Sequence, residues 1–201
     1  PDLLIVVHLG GLSADMKAIK ALSIIYGFRI IEDASHALSA LYENRKVGAC
    51  EYSDMCIFSF HPVKIITTLE GGVVTTNNID LNKKVKLLSS HHIEPCKKAS
   101  SEPWEYQQTG LGYNFRLNDI QASLGISQLR RIEDFKEKRL ELANEYYNEL
   151  DLSKIAVQKG NKFEESAFHL FIINLSGEDV IKRRRTLFDK LIHVGYKTNV
   201  H

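Results

Sequence analysis

Apolar positions along this chain fall into short continuous runs separated by amphipathic stretches, and that alternation predicts its elements. LLIVVH at 3–8 is apolar and β-branched and is closed by Gly10-Gly11, which predicts a buried strand. Ser13 then stands as the N-cap of a helix at about 14–26, with Asp15 and Lys17 on its wet side. Gly27 follows where a helix C-terminus favours glycine. FRIIED at 28–33 predicts a second buried strand whose apolar part ends in two acids. A strand, a helix and a strand in that order predict a parallel sheet with a crossover helix. DMCIFSF at 54–60 and GGVVTTN at 71–77 supply a third and a fourth strand, and a helix follows at about 79–90.

The second half reads differently. Residues 93–112 are rich in Glu, Pro, Lys, Ser and Gln and read as a long loop, a length that compact domains reserve for functional or mobile segments. From Asn118 the period becomes helical, with Ile120, Leu124, Ile126 and Leu129 on one side, and a charged amphipathic helix continues over about 131–150. SAFHLFIINL at 166–175 predicts a strand, 178–193 a basic helix and 196–201 the start of another strand. The expected organisation is a partial α/β domain over 1–130, followed by a connecting helix and an incomplete, smaller α+β domain over 131–201. The first residue is Pro rather than Met, and the expectation is a fragment or a processed chain with no signal peptide in view.

Composition narrows the function classes. The chain has 201 residues, 44% hydrophobic and 25% charged, as in ordinary globular proteins. A net charge of +1 gives no field that favours nucleic acid or an acidic membrane. Lys182-Arg183-Arg184-Arg185 falls on a predicted amphipathic helix and reads as a solvated face. No apolar run approaches the length needed to span a bilayer. Three cysteines, Cys50, Cys56 and Cys96, show no CxxC spacing and fit a reducing, cytoplasmic setting. Among the eight histidines only His91-His92 are adjacent, and no second cluster with ligand spacing accompanies them, so no metal is expected.

In open parallel sheets ligands bind beyond the carboxyl ends of the strands. Three polar groups fall there: Glu32 to His36 after the second strand, Ser59 to Lys64 after the third, and His91-His92 after the helix that follows the fourth. Asp33 has two readings, a helix N-cap or a site carboxylate. Lys64 also has two, a surface lysine or an amine held between Val63, Ile65 and Ile66. A partly buried lysine suits attack on a carbonyl, which needs the neutral amine. An acid at one strand end and an amine at another suit pyridoxal phosphate, whose aldehyde takes a lysine and whose ring nitrogen takes a carboxylate, with Ser59 placed for its phosphate. Trp104, Tyr106 and Tyr113 either line a sugar or uracil site or pack the long loop down. A nucleotide-binding oxidoreductase is discounted, because His8-Leu9-Gly10-Gly11 lacks the GxGxxG spacing.

Long segments carry a resemblance. EDASHALSA, SDMCIFSFHPVKIITTLEGGVVTTN and GYNFRLNDIQASLGISQLRRIEDFKEKRLELANEYY resemble the DegT/StrS-type sugar aminotransferases over nearly the whole chain. FHPVK, PWEYQQTGLGYNFRLNDIQASLGISQL and SAFHLFIINL are most similar to the branch that aminates C4 of a UDP-linked 4-keto-6-deoxy sugar in pseudaminic acid biosynthesis. The resemblance implies an α/β fold, PLP-dependent transferase fold type I (aspartate aminotransferase-like), with glutamate as the usual amino donor. It implies that Lys64 joins the cofactor aldehyde and then moves protons, and that Asp33 pairs with the pyridinium nitrogen. It further implies that His36 lies beside the ring near its phenolic oxygen and that Ser59 binds the phosphate. Asn114 would reach the phosphate of a neighbouring subunit, which implies a homodimer with a shared site, and His91, His92 and Tyr113 are its weaker candidates for the sugar nucleotide. Two positions depart from the family pattern: Leu69 and Ser39 stand where glycine is usual. The family's N-terminal segment and the end of its small domain are missing, so a sheet with a long edge and exposed apolar faces is expected. Within the family a dehydratase, which replaces the lysine with histidine, ranks lower because Lys64 is present; a non-catalytic member is the other alternative.

Overall fold

The computed structural model describes residues 1–96, 102–158 and 162–200. Strand β1 (Leu3–Val7) leads through a 3-10 turn at Leu9–Gly11 into helix α1 (Met16–Tyr26) and strand β2 (Arg29–Asp33). A small hairpin, β3 (Leu41–Tyr42) and β4 (Arg45–Lys46), precedes β5 (Met55–Ser59) and β6 (Gly72–Thr75). Helix α2 (Ile79–Ser89), a short hairpin of β7 (Ile93–Pro95) and β8 (Tyr106–Gln108), and helices α3 (Asp119–Leu129) and α4 (Ile132–Glu149) follow. The remainder is β9 (Ile155–Val157), a 3-10 turn at Phe163–Glu165, β10 (Ile173–Leu175) and α5 (Val180–His193). No helix among the described residues is long and apolar enough to cross a membrane.

Four strands form one sheet in the order β1-β2-β5-β6. The first three are parallel, as the crossover helix requires, whereas β6 returns antiparallel to β5, so the sheet is mixed. Register places Val7, Asp33, Ile57 and Val74 in one cross-strand row. Val6, Glu32 and Cys56 fill the next row on the opposite face. That second face is the core: Val6, Ile30, Cys56 and Phe58 are all buried, and full burial of an aliphatic side chain such as Ile30 stabilises by about 1.5–3 kcal/mol. Met16 seats α1 against Val6, Phe28 and Ile30. Ala34, Ala37 and Ala40, each fully buried, let the chain after β2 close onto Cys56 and Phe58, and Ile132 of α4 and Ala167 join the same cluster.

Several expectations are corrected. The first strand is not buried on both sides: Leu3, Ile5 and Val7 are 45%, 58% and 51% exposed, because the described residues cover one face of the sheet and leave the other open. Asp15, not Ser13, caps α1; its carboxylate accepts from Ala18 N and from the Tyr42 hydroxyl. Gly27 closes that helix in the left-handed region, as expected. The helix that residues 34–40 could have formed is instead a pair of tight turns, Ala37 N to Ala34 O and Ala40 N to Ala37 O. The long loop contains the β7–β8 hairpin, while its residues 97–101 lie outside the described residues.

Of the strand expected at 166–175, only residues 173–175 are extended, paired antiparallel with β9, which the sequence reading missed. Residues 166–170 give their amides elsewhere: Ala167 N donates to Gly11 O and Leu170 N to Gly10 O. Residues 196–200 form no strand, and His201 lies outside the described residues. The basic helix is present as α5, where Arg185 is held by Asp189 one turn on.

Candidate active site

The carboxyl ends of β2 and β5 gather four of the expected residues at one place. Asp33 is the last residue of β2 and shares a cross-strand row with Ile57. Its backbone is fixed from both sides, since Asp33 O accepts from His8 N and Ala34 N donates to Ile57 O. Its carboxylate accepts from Ser35 N at 3.0 Å, a local turn that aims the group rather than a helix cap. Burial raises the Asp33 pKa, but the Ser35 hydroxyl and amide and the positive charges of His36 and Lys64 outweigh it, so the group is held below its ordinary value.

Lys64 follows β5 after a turn in which Lys64 N donates to His61 O. It is half-buried, and the next two residues, Ile65 and Ile66, are buried in the core cluster. The loop thus anchors its chain at once beyond the lysine. Ser59 ends β5 opposite Gly72, and its hydroxyl accepts from His61 N at 3.4 Å. His36 completes the group: its Nδ1 accepts from Gly10 N at 3.3 Å.

The loop that carries Lys64 is held by groups that sequence reasoning passed over. Thr67 and Thr68 fold back on Phe60 O through the Thr67 hydroxyl and the Thr68 amide. Two glutamines of α3 clamp it from outside: Gln128 Oε1 accepts from Thr67 N at 3.0 Å, and Gln121 Nε2 donates to Glu70 O at 3.0 Å. Leu69 adopts φ 68 and Ser39 φ 73, both in the left-handed region, so the two departures from the family's glycines sit where the backbone favours glycine. Behind the sheet, His8 is fully buried; its Nδ1 accepts from Ala14 N and its Nε2–H donates to Glu32 at 2.7 Å, while the Ser53 hydroxyl donates to the other Glu32 oxygen.

A second histidine is also missed. His169 comes from the 166–170 segment, and its ring lies 4.6 Å from the His36 ring. Burial lowers its pKa to about 4, aided by His36, Lys64 and Arg139, so the ring is neutral at pH 7. A lone histidine in an apolar run carries no periodic mark, and only the loss of strand geometry there reveals it.

Asn114, His91, His92 and Tyr113 form a separate group at the end of α2. His91 and His92 both adopt φ 57, with His91 N donating to Tyr113 O and His92 N to Leu87 O. His92 Nδ1 pairs with the Thr109 hydroxyl at 2.9 Å. Asn114 bridges Ser90 and is exposed, and Tyr113 stacks on Phe115 with ring centroids 4.8 Å apart. Trp104, Tyr106 and Tyr113 are 74%, 66% and 62% exposed, so they do not pack the loop down within this chain.

Comparison with known proteins agrees over nearly the whole length. The model of the DegT/DnrJ/EryC1/StrS aminotransferase family matches residues 2–201. The chain is 41% identical to a UDP-4-amino-4,6-dideoxy-N-acetyl-beta-L-altrosamine transaminase of Campylobacter jejuni, over 98% of this chain and 50% of that protein. It is 37% identical to the spore coat polysaccharide biosynthesis protein SpsC of Bacillus subtilis, over 70% of this chain and 36% of that one. Among solved structures it superposes on PseC of Helicobacter pylori, an aminotransferase involved in the biosynthesis of pseudoaminic acid, with TM-score 0.80, 28% identity, and cover of 95% and 50%. A sugar aminotransferase of Streptococcus pneumoniae described as putative, Spr1654 in its PMP form, gives TM-score 0.86, 28% identity, and cover of 100% and 55%. The chain spans about half the length of the curated relatives it matches.

Proposed function

The chain belongs to the DegT/DnrJ/EryC1/StrS aminotransferase family, and on that premise we propose that it is part of a pyridoxal-phosphate-dependent sugar aminotransferase. The observation that carries the reading is the placement of Asp33 at the end of β2 beside β5, which ends at Ser59 and leads to Lys64, with His36 and Lys64 near enough to favour the Asp33 carboxylate. The donor set suits the cofactor: an ionised carboxylate, a half-buried amine and a strand-end hydroxyl. When bound, pyridoxal phosphate supplies an aldehyde for an amine and a ring that withdraws electrons from the carbon attached to it.

In this reading Asp33 stays ionised and holds a proton on the ring nitrogen. Ser59 would bind the phosphate, and His36 would lie beside the ring near the phenolic oxygen. Lys64 Nζ would hold the cofactor's aldehyde end and, as a free amine, would take the proton from the amino donor's α-carbon and later deliver one to the aminated sugar carbon. The proposed acceptor is the C4 keto carbon of a UDP- or other nucleotide-linked 4-keto-6-deoxy sugar, and the proposed donor is L-glutamate. Asn114 would serve a neighbouring subunit in a homodimer, with His91, His92 and Tyr113 toward the sugar nucleotide. Support for the acceptor comes from the Campylobacter jejuni relative's similarity over 98% of this chain. The division into a cofactor-binding part over 1–130 and a smaller part over 131–201 is kept as part of this proposal. A cytoplasmic setting is part of the same proposal and agrees with the reduced thiols of Cys50 and Cys56.

The test is covalent capture. The 201-residue chain is mixed with pyridoxal phosphate, reduced with borohydride, and mapped by peptide mass. The expected label is on Lys64, absent from Lys64→Ala and reduced in Asp33→Asn. No label on Lys64, or equal labelling spread over surface lysines, would overturn the reading.

A further inference from the structure

We propose that His8 and Glu32 are positioning residues of this site, a buried pair on the core face of the sheet that fixes the end of β2 and, with it, the Asp33 carboxylate on the opposite face. The inference rests on the proposed function in one respect, that Asp33 belongs to the site.

Burial is the first observation. His8 is fully buried and Glu32 is 5% exposed, and in register Glu32 lies between Val6 and Cys56, both buried and apolar. A carboxyl group in such a row costs free energy unless its oxygens are bonded. Both are: one accepts from His8 Nε2 at 2.7 Å and the other from the Ser53 hydroxyl. His8 is used as fully. Its Nδ1 accepts from Ala14 N at 3.2 Å, its amide donates to Asp33 O at 3.0 Å, and its carbonyl accepts from Gly11 N at 3.3 Å. A buried pair of this kind adds little stability over apolar side chains of similar volume, so what it contributes here is geometry.

That geometry converges on Asp33. Successive residues of a strand face opposite sides, so holding Glu32 toward the core holds Asp33 toward the open face. His8 grips β2 twice, at Glu32 through its ring and at Asp33 through its amide. Ser53 ties in a third strand just before β5 begins, where Asp54 accepts from Ile30 N and donates its own amide to Ile30 O, both at 2.9 Å. β5 then ends at Ser59 and leads to Lys64. The turn after His8 is shared as well: Gly10 N donates to His36 Nδ1, and Gly10 O and Gly11 O accept from Leu170 N and Ala167 N. The Asp33 carboxylate takes its final aim from Ser35 N at 3.0 Å, so that amide reports whether the strand end is in place.

The experiment reads that amide without cofactor. The full 201-residue chain, labelled with 15N-serine, is examined by 1H–15N correlation, with Ser35→Ala identifying the signal. Two substitutions divide the ring bonds of His8. His8→Asn places an amide oxygen near the Nδ1 position, keeps the Ala14 bond and falls short of Glu32. His8→Gln reaches Glu32 with its amide NH2 and gives up the Ala14 bond. His8→Asn is expected to move the Ser35 amide proton upfield, as a lengthened bond to Asp33 does, and to lower borohydride capture of pyridoxal phosphate at Lys64. His8→Gln is expected to leave the amide near its native position. An unshifted amide in His8→Asn, an equal shift in both variants, or a shift with capture at the native level overturns the proposal. Where thermal melting shows a His8 variant unfolded, Ser53→Ala takes its place: it removes one of the two Glu32 bonds, a smaller upfield shift is expected, and no shift overturns the proposal. Failure of every form, the unsubstituted chain included, to label Lys64 would overturn the functional reading and leave the amide readout in force.

Discussion

At the scale of single residues, the two departures from the family's glycines have a thermodynamic consequence. Leu69 and Ser39 sit at φ 68 and φ 73, a region that costs a side-chain-bearing residue about 1–2 kcal/mol. Leu69 is 57% exposed and loses little burial on truncation. Ser39 adds a buried hydroxyl oxygen with no hydrogen-bond partner among the described residues. Leu69→Gly and Ser39→Gly are therefore each expected to stabilise the chain by about 1 kcal/mol, Ser39 the more, and to raise the melting temperature by roughly 2–4 °C. A lower melting temperature for both would show that the positive φ carries no strain here. His169 gives a pH dependence with a defined sign. Its folded pKa, about 4, lies below the ordinary 6.5, so between those values the unfolded chain binds a proton that the folded chain refuses. Stability is therefore lost as pH falls through that window. The loss is on the order of 1–2 kcal/mol once solvent screening of a half-buried ring is allowed for. Denaturant midpoints from pH 7 to pH 4 should fall less steeply for His169→Phe; parallel curves would sink the assignment. Asp33 and Lys64 could be proposed from sequence because strand ends in an α/β sheet mark candidate sites, while His169 was missed, because its sequence neighbours are apolar and the His36 ring beside it is more than 130 positions away.

At the scale of elements, α3 acts as the outer clamp of the lysine loop. Its N-terminus carries a full capping box, Asn118 to Gln121 N and Gln121 back to Asn118 N. Gln121 and Gln128, two turns apart, then face the loop at Glu70 O and Thr67 N. Removing Gln128 strands the Thr67 amide, at a cost of about 1–2 kcal/mol, and frees the segment just beyond Lys64. Gln128→Ala is expected to slow pyridoxal phosphate capture at Lys64 roughly fivefold, the equivalent of about 1 kcal/mol. Asn118→Ala costs a similar stability at the cap but leaves the Thr67 bond in place, so it should slow capture much less. Equal slowing by two variants matched in melting temperature would mean that only global stability matters. Element types were mostly readable from period and caps, since α1, α2, α4 and α5 lie where the pattern put them. The errors share a cause: segments 166–170 and 34–40 have local patterns that suit a strand or a helix, but their amides are taken by the Gly10–Gly11 turn and by successive tight turns.

At the scale of the whole molecule, the sheet is one-sided. Leu3, Ile5, Val7, Ile57 and Val74 share a face with Asp33 and are 38–58% exposed, while Val6, Ile30, Cys56 and Phe58 on the other face are buried. Parallel strands that read as continuous apolar runs are normally covered on both faces, so the pattern in LLIVV predicted a layer that the described residues do not supply. An open apolar face of this kind favours association over the free surface of an isolated chain. The 201-residue chain on its own is expected to bind an apolar dye such as ANS and to self-associate as its concentration rises. Threonine keeps β propensity while removing apolar surface, so Ile5→Thr with Val7→Thr should reduce both effects at little cost to the fold, because these side chains are already half exposed. Dye fluorescence and light scattering over a concentration series decide it. A monomeric chain that binds no dye, or a double variant that associates as strongly as the parent, would mean that this face is not what drives association. Retention of the Lys64 label in a monomeric double variant would further show that the site at the strand ends stands independently of whatever covers the sheet.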